Sequence, residues 1–461
     1  MIRRWTAWTA ILVILLGLII MFVHQKRITS SEEVDYSEAS EPERVTITFA
    51  ARDIELTPSM IADFEKAHPK VAIKRIDMDT GKMALLSNSA TSPDILLIRG
   101  AKELPYYALH GFAMNVESRI RNSTMFPSDD LFPVTNIYRF DGNNQGAGPY
   151  YGFMKDWSPD YTIMYNKTLF DQAGVPYPDS KTPMTWQQLM DTAQKLTVNQ
   201  QENSTQPIRQ YGLGINNHFT ALNQDVLLLQ LAQLDKSPWY DHYRKADFTS
   251  PEMSRIHNLW NEAVDHAVGP TPINAELKTP SSLFLDGKMG MFMVGYWFLN
   301  SIEQMGMGGK SFPVGFAPAP VFEDGKRLSP VQAGVGGIIS AKTAHKEEAW
   351  EVFEWFFAGP PADERAKQGW GVPAFRSKFK LLPKDTELQR AAFAFVQAEL
   401  AYCDTLLDNN PYLLENSLTQ ALDKNIVPVY FHRKSMDQAF YQLTEEMNYS
   451  ITDSILNTQI K

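Results

Sequence analysis

Three aspartates, Asp156, Asp160 and Asp171, lie close together in the sequence. Two carboxyl groups facing one substrate are what glycosidic-bond cleavage requires, one as acid and the other as base or nucleophile. Aspartates are also common in loops for ordinary turn reasons, and no further catalytic pattern accompanies these. The sequence holds no HExxH and no GxSxG, and its nine histidines are scattered without metal-ligand spacing. Residues 305–311, MGMGGKS, imitate a phosphate loop, yet the position that needs the first glycine is Gln304 and no strand leads directly into it. Ring stacking is better represented. Aromatic residues make up 12% of the chain and include ten Trp, and the C–H faces of sugar rings pack against such planes. The stretch FLDGKMGMFMVGYWF, residues 284–298, runs from the polar turn Asp286-Gly287-Lys288 through an apolar strand to Gly295-Tyr296-Trp297. A strand that only fills a core needs no such exit. A strand that presents an aromatic surface at a cleft does.

The elements that must position these residues follow an α/β grammar. VTITFAA (45–51) alternates and is β-branched, VAIKRID (71–77) repeats that pattern, and DILLIRG (94–100) is a continuous apolar run ended by Gly. Such a run fits a parallel sheet buried on both faces. Thr57-Pro58 predicts a helix start, with Thr as N-cap and Pro at the first helical position, and Pro69 stops that helix. ELPYYALHGF reads as the next helix, so strand and helix alternate as in a right-handed α/β sheet. PYYGFMKDW (149–157) and YTIMYNKTLF (161–170) read as strand pieces, and TPMTWQQLMDTAQKLT (182–197) as an amphipathic helix. Residues 199–210 are a polar loop, followed by helical patterns to about 268. Later come FPVGFAPAP (312–320), VGGIISAKT (335–343), the helix HKEEAWEVFEWFF (345–357) and a mostly helical tail. No internal repeat of solenoid period occurs.

Composition bounds the function. The chain has 461 residues, too many for one ordinary core, so two or more lobes are expected. Net charge is −10 with no long basic run, which argues against a nucleic-acid partner, because phosphate binding needs clustered Lys and Arg. The single cysteine, Cys403, excludes an internal disulfide and a multi-cysteine metal site, and its apolar helical surroundings predict a buried thiol.

Residues 5–23 form an uncharged apolar run preceded by Arg3 and Arg4. This length suits one bilayer crossing, so residues 1–27 are expected to be a signal peptide or, the favoured reading, an uncleaved signal-anchor helix. No cysteine follows that could carry a lipid. Residues 28–44 are acidic and serine-containing, as in a flexible tether.

With these pieces in order, the chain resembles the extracellular solute-binding proteins of sugar ABC importers, the maltose-binding-like family. The resemblance rests on PYYGFMKDW with YTIMYNKTLFDQAGVPYPDSKTPMTWQQLMDTAQKLT, on FLDGKMGMFMVGYWF, on VGFAPAP with GGIISAKTAHKEEAWEVFEWF, and on QGWGVPAFRS (368–377). It implies a type II periplasmic-binding-protein-like fold of two α/β lobes, each a mainly parallel sheet flanked by helices. Lobe one would be 45–149 plus 312–358 and lobe two 150–311 plus 359–461, with the ligand cleft between them. It implies no catalysis, no cofactor and no metal. A monomer would capture a mono- or oligosaccharide by hinge closure and deliver it to permease subunits driven by cytoplasmic ATPases, at the extracellular face of the membrane and anchored by its N-terminal helix. A membrane-anchored sugar sensor serving a signalling receptor is the alternative. By the same resemblance Trp297 and Trp370 would offer ring faces to sugar, with Tyr296 beside the first. Asp156 and Trp157 would lie at the lobe junction, and the Asp156 carboxylate would accept sugar hydroxyls. Arg52, Asp53 and Arg99 would face the cleft from lobe one, and Gly336 and Gly337 would form a tight turn close to ligand. Family members in bacteria without an outer membrane are commonly lipoproteins, and this sequence departs from them in having no lipidation cysteine after the apolar run.

Overall fold

The computed structural model describes residues 44–198, 210–274, 276–309, 311–331, 334–403 and 406–459. The apolar run at 5–23, the acidic tether up to residue 43 and the polar loop at 199–209 lie outside the described residues. Among the described residues, no helix is long and apolar enough to cross a membrane.

Ten strands frame the molecule: β1 Val45–Ala50, β2 Val71–Ile76, β3 Ile95–Ile98, β4 Phe153–Trp157, β5 Ile163–Asn166, β6 Tyr211–Ile215, β7 Met289–Met293, β8 Val314–Ala317, β9 Val335–Ile339 and β10 Val372–Pro373. They form two sheets, one in the order β10-β4-β9-β3-β1-β2 and one in the order β8-β5-β7-β6. β1 pairs parallel with β2 and β3, as the alternating early elements predict. β9 arrives from the other lobe and runs antiparallel to both β3 and β4, so the sheet is mixed. The second sheet is also mixed, with β7 parallel to β6 and antiparallel to β5.

Sheet membership corrects the expected lobe boundaries. β4 belongs to the first sheet and β8 to the second. The chain therefore changes lobes within 158–162 and 318–334, not at 149/150 and 311/312. It crosses again between β10 and the helix Glu387–Glu399, which packs on β8. The apolar periodicity of a strand says that it is buried and not which sheet buries it, so the pattern alone could not place β4 or β8.

Local chemistry sets the elements as read. The Thr57 hydroxyl accepts from the Met60 amide at 3.3 Å and Pro58 opens the helix Pro58–Ala67. Thr185 and Gln188 close a reciprocal capping box on the helix Trp186–Leu196. β3 is almost wholly shielded from solvent, and the helix Lys346–Ala358 packs across β1, β4 and β9. Phe356 of that helix meets Phe49 edge-on at 5.1 Å. The second sheet is covered by the helices Gln224–Gln233, Pro251–Asp265, Ser417–Tyr430 and Met436–Gln459, whose apolar faces share its core.

Candidate ligand cleft

A cavity of about 930 Å³ opens between the lobes. From lobe one it is lined by the helix Met78–Leu86 (Met78, Asp79, Lys82) and by Leu97, Arg99, Gly100, Lys102 and Glu103 at and after the carboxyl end of β3. From lobe two come Asn216 to Phe219 after β6, Glu276 to Pro280, and Met293, Val294, Gly295 and Trp297 at and after the end of β7. The crossing segment adds Asp160 and Tyr161. Carboxyl ends of strands are where open α/β sheets bind ligands, because the loops leaving them converge there.

The exit of β7 explains its odd composition. Tyr296–Phe298 form a short 3-10 turn. A Cβ on Gly295 would stand 2.2 Å from Ser158 Oγ and 2.6 Å from Asp160 Oδ1, so only glycine lets this turn press against the crossing segment. The turn leaves Trp297 partly exposed on the cavity wall. Tyr296 points the other way. It is 3% exposed and sits in the core, and burial pushes its phenol pKa up. It packs rather than binds.

Arg99 also lines the cavity, but its guanidinium is held by Asp79 at 2.9 Å. The other expected site residues do not line it. Arg52 forks onto Glu55 at 2.7 and 3.0 Å, and Asp53, largely exposed, pairs with Arg75. Lys155, almost fully buried, stands 2.9 Å from Glu55 and 3.2 Å from Asp156 Oδ2, the latter contact in ion-pair range without hydrogen-bond geometry. Burial pushes Glu55 up, yet Lys155 and Arg52 outweigh it and hold the carboxyl at about 2. Burial raises Asp156, with Lys155 and Arg365 opposing. Trp370 lies over this charge cluster, 5.7 Å from Lys155 Nζ, and its indole N–H donates to Gln368. Trp157 is a core residue: its indole N–H donates to the Pro373 carbonyl at 3.0 Å and its ring meets Phe132 edge-on. Gly336 and Gly337 form no turn. They lie inside β9, paired with Ile98 and Leu97, where a Cβ would collide with Tyr138 and Phe357. They are glycines because neighbouring rings fill the space above and below the strand.

The three aspartates that suggested hydrolysis are separated. Asp160 faces the cavity, Asp156 sits in the buried cluster, and Asp171 accepts from the Tyr177 hydroxyl at 2.5 Å on the surface.

The sequence reading missed a whole wall. Asn416, Thr419, Gln420, Asp423, Ile426, Val427 and Tyr430 all line the cavity from the helix Ser417–Tyr430 and its cap. Their spacing of three, four and seven is one helical face, a signal present in the sequence but shared with any solvent-facing helix. Asp423 makes no ion pair or hydrogen bond with the described residues, and its carboxyl is raised by partial burial, with His218 opposing. Asn216, Asn217 and Asn416 add amides that both donate and accept.

Residues 53–358 match the family model of the bacterial extracellular solute-binding proteins. The chain belongs to that family. It is a solute-binding protein and not an enzyme. Its fold is similar to an ABC substrate-binding protein of Listeria monocytogenes solved in complex with cycloalternan, at 20% identity over 89% of this chain and 99% of that one, with a TM-score of 0.70. It is also similar to a solute-binding protein of Thermotoga lettingae bound with alpha-D-tagatose, at 19% identity over 89% and 100% of the two chains, TM-score 0.67. The GacH receptor of Streptomyces glaucescens, solved with acarbose, gives 18% identity over 89% and 99%, TM-score 0.66. Among curated proteins, the maltotriose-binding protein of Pyrococcus abyssi is 28% identical over 123 residues, which is 26% of this chain and about a quarter, 25%, of that relative.

Proposed function

We propose that this solute-binding protein is the extracellular carbohydrate-binding component of an ABC importer, taking a neutral oligosaccharide into the interlobe cleft and passing it to permease subunits after closure. The observation that carries the reading is the cavity of about 930 Å³ in which Trp297 stands beside a lining of amides and carboxylates. Ring face and hydroxyl-binding groups are the two things a sugar needs. A volume near the top of the usual range for small-molecule pockets, roughly 300–1,000 Å³, favours several rings over one. Two of the solved relatives named above hold cycloalternan and acarbose, which supports the oligosaccharide reading, and a third holds tagatose.

Charge narrows the class further. The cations that line the cavity are already matched: Arg99 by Asp79, Lys82 by Glu103 and Glu415, Lys102 by Asp225, and Lys278 by Asp286. An anionic sugar would have to break one of these pairs, whereas Asp423 stands ready to accept hydroxyls from a neutral one.

The test is thermal unfolding of the full chain in mild detergent against a panel of neutral mono- and oligosaccharides. A ligand that binds only the native state must raise the midpoint. A shift with one oligosaccharide that disappears in Trp297→Ala supports the reading. No shift with any saccharide overturns it.

A further inference from the structure

One end of the cleft is bridged by charge. Lys82, Lys102 and Glu103 belong to lobe one, on and beside the helix that follows β2 and the turn that follows β3. Asp225 and Glu415 belong to lobe two. Across the gap Lys102 Nζ lies 3.3 Å from Asp225 and 3.9 Å from Glu415, and Lys82 Nζ lies 2.9 Å from Glu415. All of these groups are largely shielded from solvent: side-chain exposure is 14% for Lys102 and 9% for Asp225.

Asp225 is also tied to the hinge. It sits in the first turn of the helix Gln224–Gln233, where the backbone dipole favours a carboxylate. His218 approaches it to 3.6 Å, and Tyr161 stands with it on the cavity wall, close enough for the Asp225 charge to act on the phenol. Tyr161 lies on the first crossing between the lobes and holds a left-handed φ of +59°. That conformation is costly for a tyrosine and persists only where surroundings enforce it. Its neighbour Asp160 takes a backbone bond at 2.9 Å from its own amide to the Pro330 carbonyl on the second crossing.

We propose that Asp225 is a positioning residue that ties cleft closure to the hinge, and that its pairing with Lys102, seconded by Glu415, is a latch that holds the lobes together before ligand arrives. The ion pairs span the two bodies that a hinge rotation separates. When they part, Lys102 gives up both of its partners, while Lys82 keeps Glu103 at 2.5 Å and Asp225 keeps His218 beside it. Most of the cluster thus stays compensated in both positions of the lobes, as a two-state element requires. Tyr161, set beside the same carboxylate with its left-handed backbone, converts the making of the latch into a constraint on the crossing segment.

The latch rests on the two-lobed fold and not on the identity of the ligand, so its test needs none. Spin labels at Met83→Cys and Leu277→Cys, which are 72% and 97% exposed on opposite rims, report the interlobe distance in the ligand-free full chain, with buried Cys403 left in place. Asp225→Asn and Lys102→Met are expected to shift the distance distribution to longer values. Glu415→Gln, in a loop outside the helices, is expected to do so to a smaller extent, and it carries the test where far-UV circular dichroism shows that a stronger variant has not folded. Distributions identical to the parent in the folded variants overturn the latch.

Discussion

Gly295 and Asp160 are neighbours that only glycine permits: a Cβ at position 295 would come within 2.6 Å of the Asp160 carboxylate. This contact seats the Trp297 turn on the segment where the chain first changes lobes. The cavity-lining Trp297 and the hinge are therefore one packed unit. Gly295→Ala is expected to lower stability by about 1–3 kcal/mol, as overpacking does, and to weaken saccharide binding as Trp297 is displaced. Denaturant unfolding and calorimetry read the two effects separately.

The two tryptophans once expected to form a pair of walls should now behave differently. Trp297→Ala is predicted to cost at least about tenfold in affinity, ~1.4 kcal/mol, with little change in melting temperature, since the ring is partly exposed. Trp370→Ala is predicted to leave affinity within about twofold, because its ring covers Lys155 outside the cavity. Titration calorimetry with the best saccharide decides.

Asp423 is predicted to be a direct hydroxyl acceptor. Asp423→Asn keeps the shape and removes the charge, and should reduce affinity by about tenfold while stability stays within about 0.5 kcal/mol. An unchanged affinity would remove the helix Ser417–Tyr430 from the binding wall.

Ligand charge gives a prediction with a gain. A uronate-bearing analogue should bind the parent more weakly than its neutral counterpart. Asp79→Asn releases the Arg99 guanidinium and should raise the relative affinity for the uronate, measured by competition.

Two glutamates give opposite pH dependences. Lys82 is shared between Glu103 and Glu415, and one ammonium cannot compensate both. Burial, then the Glu415 charge, pushes the Glu103 carboxyl from 4.5 to about 7. The folded state holds that proton more tightly than the unfolded chain, so this stabilisation is present below about 4.5 and is lost as pH rises to about 7, at most about 3 kcal/mol. Glu55 is the reverse: held at about 2, it stabilises above about 4.5 and loses that contribution as pH falls through about 2. Glu103→Gln should flatten the stability profile between pH 4.5 and 7 and leave the acid limb in place.

Most of the fold was legible because its signals are local. The β-branched alternation of 45–51, the Thr57-Pro58 cap and the apolar run of β3 each carry their own physical reason. The strand exit at Gly295 pointed to the cavity, which Trp297 lines, but could not tell Trp297 from its neighbour Tyr296, which packs in the core. Asp156, Trp157, Gly336 and Gly337 were misplaced for a common reason. A residue at a strand end is equally compatible with a cleft and with a core, and what decides is whether Tyr138, Phe357 or Pro373 comes to cover it from far away in the sequence. The helix Ser417–Tyr430 was overlooked because a cavity-facing polar stripe and a solvent-facing one have the same periodicity.

The exchange of strands between the sheets also dictates when this molecule can fold. β3 is complete once residue 98 is made, but its partner β9 ends only at residue 339. β10, which closes the edge beyond β4, comes later still. Neither lobe is a continuous piece of chain, so neither can finish while most of the polypeptide is still being synthesised. Long-range pairing of this kind slows folding. For a family whose members work outside the cell, that delay is useful: a chain that cannot close early stays threadable until it has crossed the membrane.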